Sequence, residues 1–364
     1  MTAPAPPRSF LDTPRKSAGI VAALLALLLA LSLGGRFFAD VRDRARRVDE
    51  LQALADRQQR AGQFAEAWAS LARAAQTAEE GSALARRVGR GDAQRLAVRV
   101  AREDLAMAWL QTWRPPEEPP APLPDGVVTT LTAGAATAAG ARKADLLAHL
   151  GWEAALRAGP GGEDAGDAAP ESFYQEAVES DPSNPYAHSH WGHWLASDEK
   201  PGEAVSRFDA ALASGRARPY VRAVQLAALQ LHDDRVFGAA YIAAVADMVR
   251  NGETVDAGVR DRLYTLYTFR FESDEAFAEL AGTLPPTAQI ALVRALFVDA
   301  ADRRPDRTPA AYSWLARLQE ATGDVEGALA SWRAVLAALP PEAAGPLADR
   351  ARAAVAAARQ PLLR

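Results

Sequence analysis

The sequence predicts an all-α protein, and three observations lead to that prediction. The chain is rich in alanine and poor in β-branched residues, which favours helix over strand. Apolar residues recur at helical spacing along most of its length. One uncharged apolar run near the N-terminus is long enough to cross a bilayer as a helix. The 364 residues, 49% hydrophobic and 24% charged, are enough for one large domain or about two ordinary ones.

Composition narrows the range of functions. The chain has no cysteine, which excludes disulfides, thiolate metal sites and cysteine nucleophiles. Its formal net charge of −5 has the wrong sign for a general nucleic-acid binder, so we expect no nucleic-acid partner.

Residues 17–35 are predicted to be a transmembrane anchor that follows a short N-terminal tail, residues 1–16. The anchor segment carries no charge, and as a helix it spans about 28 Å, close to the thickness of a bilayer core. Arg15 and Lys16 flank it on one side, and Arg36 on the other, as expected of interfacial anchors. A cleavable signal peptide is the alternative, but the apolar run is longer than usual and no clear cleavage motif follows. Both interpretations direct the chain to a membrane, with the lipid bilayer contacted through residues 17–35.

Two signals disagree about the side of the membrane on which the body lies. A short basic N-terminal tail usually stays in the cytoplasm, which predicts a single-pass protein of the bacterial inner membrane with a periplasmic body. The residues just after the segment include more arginines than the tail does, and the positive-inside rule alone favours a cytoplasmic body. The periplasmic orientation is our expectation, and the cytoplasmic one is the alternative.

Residues 36–114 are predicted to be an N-terminal helical region that includes one helical hairpin with a turn at Gly62. Residues 115–124 follow as a proline-rich linker, because proline lacks the amide donor that a helix needs. A second loop, rich in glycine and acidic residues, is expected at 159–169.

Two later segments are each predicted to form a pair of helices. Small and bulky residues occupy the same relative positions in both segments. The first begins at Pro185 and the second at Pro309. The residues that define the pattern are His188, Trp191, Gly192, Leu195, Ala204, Phe208 and Ala211 in the first, and Tyr312, Leu315, Ala316, Ala328, Trp332, Val335 and Pro340 in the second. An earlier copy supplies Leu51, Leu54, Ala55, Ala67, Leu71 and Ala74, and a split copy supplies Leu147, Leu150, Gly151, Tyr174, Ala177 and Pro182.

This pattern resembles the tetratricopeptide repeat (TPR), a helix–turn–helix unit of 34 residues, in a membrane-anchored bacterial form. Small residues allow paired helices to approach, and bulky residues fill the remaining seam. Gln319 and Glu199 depart from it, since an aromatic residue and a turn glycine are usual there. The resemblance implies that residues 125–364 form an α-solenoid of TPR-like hairpins, degenerate over 219–304 and closed by a C-terminal capping helix within 341–359.

The resemblance also implies a binding surface, because outward positions of the first helix of such repeats usually line a concave groove that holds a protein or peptide. In this chain those positions give the candidate partner-binding residues Tyr186, Ser189, His193, Ser197, Ser313, Arg317 and Glu320.

His190 and His193 share a helical face, but without a suitably placed carboxylate we expect surface histidines and no metal site. Phosphate-binding loops, zinc-protease helices and nucleophile elbows are absent from the sequence, so we expect no catalytic residues and no cofactor.

These observations predict a non-catalytic, membrane-anchored scaffold or adaptor that binds a protein partner at the cell envelope. The alternative is a permanent structural subunit of a large membrane complex. An enzyme with a site in 219–304 is a third hypothesis.

Overall fold

A computed structural model describes residues 14–80, 91–113, 123, 126–158, 169–230, 234–271, 273–301 and 303–358. The prediction of an all-α fold is confirmed for these residues, which form helices joined by turns and contain no strand. The linker 115–124 lies outside the described residues except for Leu123, and the loop 159–169 except for Ala169. The helices are α1 (Pro14–Arg60), α2 (Phe64–Glu79), α3 (Asp92–Leu110), α4 (Val127–Thr137), α5 (Gly140–Ala158), α6 (Pro170–Ser180), α7 (Pro185–Ser197), α8 (Pro201–Ala213), α9 (Arg218–Gln230), α10 (Asp234–Arg250), α11 (Ala257–Arg270), α12 (Asp274–Thr283), α13 (Pro286–Val293), α14 (Thr308–Thr322), α15 (Val325–Ala338) and α16 (Pro346–Ala357).

The described residues divide into two compact units, with the division between Leu150 and Gly151 inside α5. The first unit begins with α1, which runs without interruption from Pro14 to Arg60 and is about 70 Å long. The helix continues through Gly34 and Gly35, where the sequence analysis separated an anchor from a helical region. The predicted anchor segment and the first hairpin helix are therefore parts of one element.

The N-terminal part of α1 is the one helix among the described residues that is long and apolar enough to cross a membrane. Its most apolar window has a mean hydropathy of 2.1, and none of that window is buried within the structure. Leucines on every side of it are more than half exposed, for example Leu25 at 62% and Leu31 at 63%. A signal sequence near an N-terminus also meets this criterion of length and composition.

Helices α1 and α2 form a hairpin that turns at Gly62, which has a φ of +75°. The small residues Ala55 and Ala67 and the bulkier Leu71 are all buried in this hairpin. Helix α3 packs on both helices, with Val98 buried against Val48 and with the Gln94 amide donating a 3.0 Å hydrogen bond to the Ala45 carbonyl. The first unit is thus a three-helix layer, on which α4 packs through α3.

In the second unit, helices pack mainly against those that neighbour them in the chain: α7 with α8 and α9, α9 with α10, α14 with α13 and α15, and α15 with α16. Gly192 shows why α7 and α8 can pair closely. A Cβ on Gly192 would lie 3.1 Å from the Phe208 ring and 3.2 Å from the Ala204 carbonyl oxygen. These are the residue types that the sequence pattern places at the seam of the hairpin, and both Ala204 and Phe208 are fully buried.

The turn between α7 and α8 lacks the usual glycine but keeps the same backbone conformation. Glu199 has a φ of +54°, compared with +78° at Gly323 in the turn between α14 and α15. The left-handed conformation costs a non-glycine residue about 1 kcal/mol, which the packing of the hairpin offsets.

Residues 219–304, which the sequence identifies only as degenerate hairpins, contribute most of a large apolar core. Phe237, Tyr241, Leu263, Leu266 and Tyr267 are each at most 2% exposed in it. Helix α16 follows at the C-terminal end and packs on α15, with Ala351 and Val355 against Trp332 and Val335.

Candidate functional site

The seven predicted partner-binding residues lie on two helices. Four are on α7 (Tyr186, Ser189, His193 and Ser197) and three are on α14 (Ser313, Arg317 and Glu320). These helices have different main neighbours, since α7 packs on α6, α8 and α9, and α14 packs on α13, α15 and α16.

On α7, the predicted surface is largely covered. Ser189 and His193 are buried, at 0% and 5% exposure, and Tyr186 and Ser197 are half-buried. The two serine hydroxyls donate to carbonyls of their own helix, Ser189 to Tyr186 at 3.2 Å and Ser197 to His193 at 3.1 Å. Of these four residues, Tyr186 and Ser197 remain partly accessible, and the Tyr186 ring packs beside the Tyr220 ring with centroids 5.8 Å apart.

The expectation that His190 and His193 lie at the surface is wrong. Trp152 on α5 stacks on the His190 ring with centroids 4.7 Å apart and meets the His193 ring edge-on at 5.0 Å. The His190 Nε2 lies 2.8 Å from the Tyr220 hydroxyl. Helices α5 and α9 therefore cover the face that the sequence of α7 alone leaves open. Among the described residues, no group of three or more histidines and carboxylates is placed to hold a metal ion.

On α14, Arg317 and Glu320 hold helices together, whereas Ser313 is buried and donates a 2.7 Å hydrogen bond to the Ala310 carbonyl of its own helix. The Arg317 guanidinium donates to the Phe271 carbonyl at 2.8 Å and to the Asp274 carboxylate at 2.6 Å. Burial lowers the pKa of Arg317, and hydrogen bonding to Arg350, with the charges of Arg350 and Arg317, lowers the pKa of Asp274. Glu320 is exposed, but its carboxylate accepts a 2.6 Å hydrogen bond from the Trp332 indole.

The first unit contains an open groove that the sequence analysis did not identify. It has a volume of about 670 Å³ and lies between α2, α3 and the N-terminal half of α4. We call it the α3 groove. Its lining residues are Ala75, Ala78, Glu79, Asp92, Arg95, Leu96, Val98, Arg99, Arg102, Gly126, Thr129, Thr130 and Ala133.

Three arginines of α3 share the face that lines this groove, because residues 95, 99 and 102 recur at helical spacing. Arg95 pairs with Asp92, and its Nε lies 3.9 Å from Glu79. Arg99 lies 3.6 Å from Glu103, a buried carboxylate that also binds Arg142 at 2.6 Å. Two of the three cations are therefore already balanced by carboxylates of the first unit.

Arg102 differs from the other two because it forms no ion pair within the described part of the chain. Its guanidinium lies over the Trp68 ring, 4.6 Å from the centroid, and its Nε is buried without a hydrogen-bond acceptor. Burial without a carboxylate partner lowers the pKa of Arg102. A half-buried cation of this kind is an electrostatic site that an anion can complete.

Apolar surface adjoins these cations. Leu96 lines the groove and is 50% exposed, and Val100, one turn further along α3, is 36% exposed. On the opposite side, Gly134 allows α4 to approach α3, since a Cβ there would lie 2.7 Å from the Glu103 carboxylate. The groove thus offers both a cation and an apolar contact to one occupant.

The sequence analysis did not single out the arginines of α3. The signal for a groove was present in the spacing of Arg95, Arg99 and Arg102. What the sequence lacked was the position of α4, which follows a proline-rich segment and forms the second wall.

No protein family matches the chain, and no curated protein matches it. Among solved structures, the chain is similar to the crystal structure of the P58(IPK) TPR domain, at 12% identity, with 86% of this chain and 98% of that chain covered. The TM-score of 0.19 is too low for this likeness to support a conclusion about fold or function.

Proposed function

We propose that this protein is a non-catalytic scaffold or adaptor that is anchored in a membrane by α1 and binds a protein partner through its helical hairpins. The observation that carries the proposal is the continuity of α1. One helix supplies both an apolar segment with no partner in the described structure and the first helix of a packed hairpin. A binding module attached to a bilayer in this way raises the local concentration of its partner without any chemistry.

The environments of the described polar residues favour a non-catalytic role. Buried polar side chains such as Arg222, Arg317 and Gln289 have hydrogen bonds that join helices. This is the pattern of structural polar groups rather than of a nucleophile beside a base.

Anchoring is tested with the full chain carrying a C-terminal tag. We expect membrane-bound protein that resists alkaline carbonate and whose intact mass includes residues 17–35. Replacing Leu25 and Leu28 with arginine should release it, because each charge at mid-bilayer costs about 3 kcal/mol. The matched control is Leu96→Arg, an exposed leucine outside the apolar segment. Release of the wild type by carbonate, or a mass that lacks the segment, contradicts anchoring.

The side of the membrane is part of the proposal, with a periplasmic body on the bacterial inner membrane and a cytoplasmic body as the alternative. A protease added to spheroplasts should degrade the C-terminal tag if the body is periplasmic. A tag that is degraded only after detergent is added supports the cytoplasmic alternative.

The predicted residues on α7 and α14 remain proposed partner contacts only where they are accessible, at Tyr186, Ser197 and Glu320. We expect Ser197→Ala and Glu320→Gln together to reduce retention of a partner, and thermal unfolding is recorded for the variant as the control for folding. The buried His193 and Arg317 are unsuitable for this test because their replacement disturbs packing.

The second candidate is a permanent subunit of a membrane complex, as the extensive exposed apolar surface of α1 also suits helix–helix packing in a membrane. Gel filtration in mild detergent separates the two. An adaptor loses its partner as salt is raised, whereas a subunit elutes with its partners at fixed stoichiometry.

A further inference from the structure

We propose that the α3 groove binds an acidic peptide segment with interspersed apolar side chains, presented by a partner close to the membrane surface. The proposal rests on the proposed function for the position of the groove relative to the membrane, and on the described contacts of the groove for the chemistry of the ligand.

The ligand chemistry follows from what the groove leaves unsatisfied. Three arginines line the groove. Glu79 and Asp92 are adjacent to Arg95, and Glu103 is adjacent to Arg99. Arg102 remains without a carboxylate within the described residues. A carboxylate brought to Arg102 forms a charge-assisted hydrogen bond in a half-buried site, where such bonds are strong. Charge complementarity therefore selects an anion.

The apolar lining selects a peptide over a small anion. Leu96 is half-exposed at the groove, and Ala75 and Ala133 stand on its two walls. The row from Arg95 to Arg102 is about 10 Å long, the length of three to four extended residues. A carboxylate at Arg102 and an apolar side chain at Leu96 fit one short peptide.

The position of the groove along α1 argues against a lipid headgroup. Gln94, at the start of α3, is bonded to Ala45, and Ala45 lies about 15 Å along the helix axis beyond Gly35. The headgroup layer on one side of a bilayer is only about 5–7 Å thick. Even a tilt of about 40° leaves the start of the groove beyond that layer. The occupant is therefore a segment of protein next to the membrane.

The test measures binding of a fluorescein-labelled peptide of glutamate and leucine to the full chain in non-ionic detergent, by anisotropy at low salt. The comparison peptide has glutamine in place of each glutamate. We expect the acidic peptide to bind at least about tenfold more tightly, and Arg102→Gln to weaken it by about tenfold. Leu96→Gln should weaken both peptides by about threefold. The matched control, Arg333→Gln, removes an exposed arginine of α15 and should change neither.

Equal affinity for the two peptides overturns the proposal, as does an equal effect of Arg102→Gln and Arg333→Gln. Arg102 covers Trp68, so circular dichroism is recorded for each variant. If Arg102→Gln is misfolded, the effect of Leu96→Gln on peptide affinity becomes the test, because replacing the exposed Leu96 side chain does not disturb packing.

A lipid occupant is tested in nanodiscs of phosphatidylcholine, with and without phosphatidylglycerol. If anionic lipid abolishes peptide binding to the wild type, the groove is occupied by headgroups and the proposal is wrong. Peptide binding that persists supports it. Absence of peptide binding by a protein that resists carbonate contradicts this inference alone, whereas release by carbonate contradicts the anchoring on which its membrane position depends.

Discussion

Arg317 on α14 and Arg102 on α3 differ in what surrounds the guanidinium group. Arg317 on α14 is 6% exposed and is bonded to the Phe271 carbonyl and the Asp274 carboxylate. Arg102 on α3 lies over the Trp68 ring at an open groove, and no carboxylate among the described residues pairs with it. The sequence analysis selected Arg317 as a partner-binding residue and did not single out Arg102. A repeat pattern places a polar residue within its hairpin. It does not reveal whether a neighbouring helix already binds that side chain.

The largest expected effect concerns His149, a fully buried polar group of the first unit. Its Nδ1 lies 2.6 Å from the Asp145 carbonyl and so carries the proton, which leaves Nε2 to accept from the Gln111 amide at 2.9 Å. Burial lowers the pKa of His149 from 6.5 to about 4. The unfolded chain then binds a proton at a higher pH than the folded chain does. Stability is therefore present above pH 6.5 and falls as the pH drops toward 4.

We expect a loss of about 3 kcal/mol in the free energy of unfolding over that range. Urea unfolding of the full chain in detergent at pH 7 and at pH 4 measures it. His149→Gln, which does not titrate, should show a smaller pH dependence. Equal pH dependence in the two proteins contradicts the assignment.

The second prediction tests the structural role of Arg317. Arg317→Met removes the hydrogen bonds to the Phe271 carbonyl and Asp274, and we expect a loss of about 2–3 kcal/mol in stability. Arg333→Met, at an exposed position on a neighbouring helix, should change stability by less than about 0.5 kcal/mol. Urea unfolding compares them. A stable Arg317→Met variant would return Arg317 to the set of candidate ligand residues.

The third prediction concerns the close contact between α7 and α8 at Gly192. Gly192→Ala places a Cβ 3.1 Å from the Phe208 ring and 3.2 Å from a backbone oxygen. We expect this crowding to cost about 1–2 kcal/mol, which a gain of about 1 kcal/mol in helix propensity partly offsets, so the net loss of stability should be below about 1 kcal/mol. Gly202→Ala, in the partner helix α8, meets nothing within 4 Å and should be neutral or slightly stabilising. Thermal unfolding distinguishes the two. Equal effects of both substitutions would mean that α7 and α8 do not approach as closely as described.

The sequence by itself determined the helical class, the apolar segment and the hairpins of α7–α8 and α14–α15. These follow from local periods: apolar spacing selects helix, and small residues such as Gly192, Ala204 and Ala316 identify where two neighbouring helices meet. Each of these signals lies within a few tens of residues, so a helix or hairpin can be recognised from one segment of the chain.

Only the tertiary structure decided which polar residues are accessible. Trp152 covers His190 and His193 from α5, and Phe271 and Asp274 engage Arg317 from about forty residues away. The α3 groove likewise requires α4 to stand opposite α2 across Arg102. Burial depends on neighbours that are distant in sequence, and helical periodicity defines the faces of a helix without defining what packs on each of them.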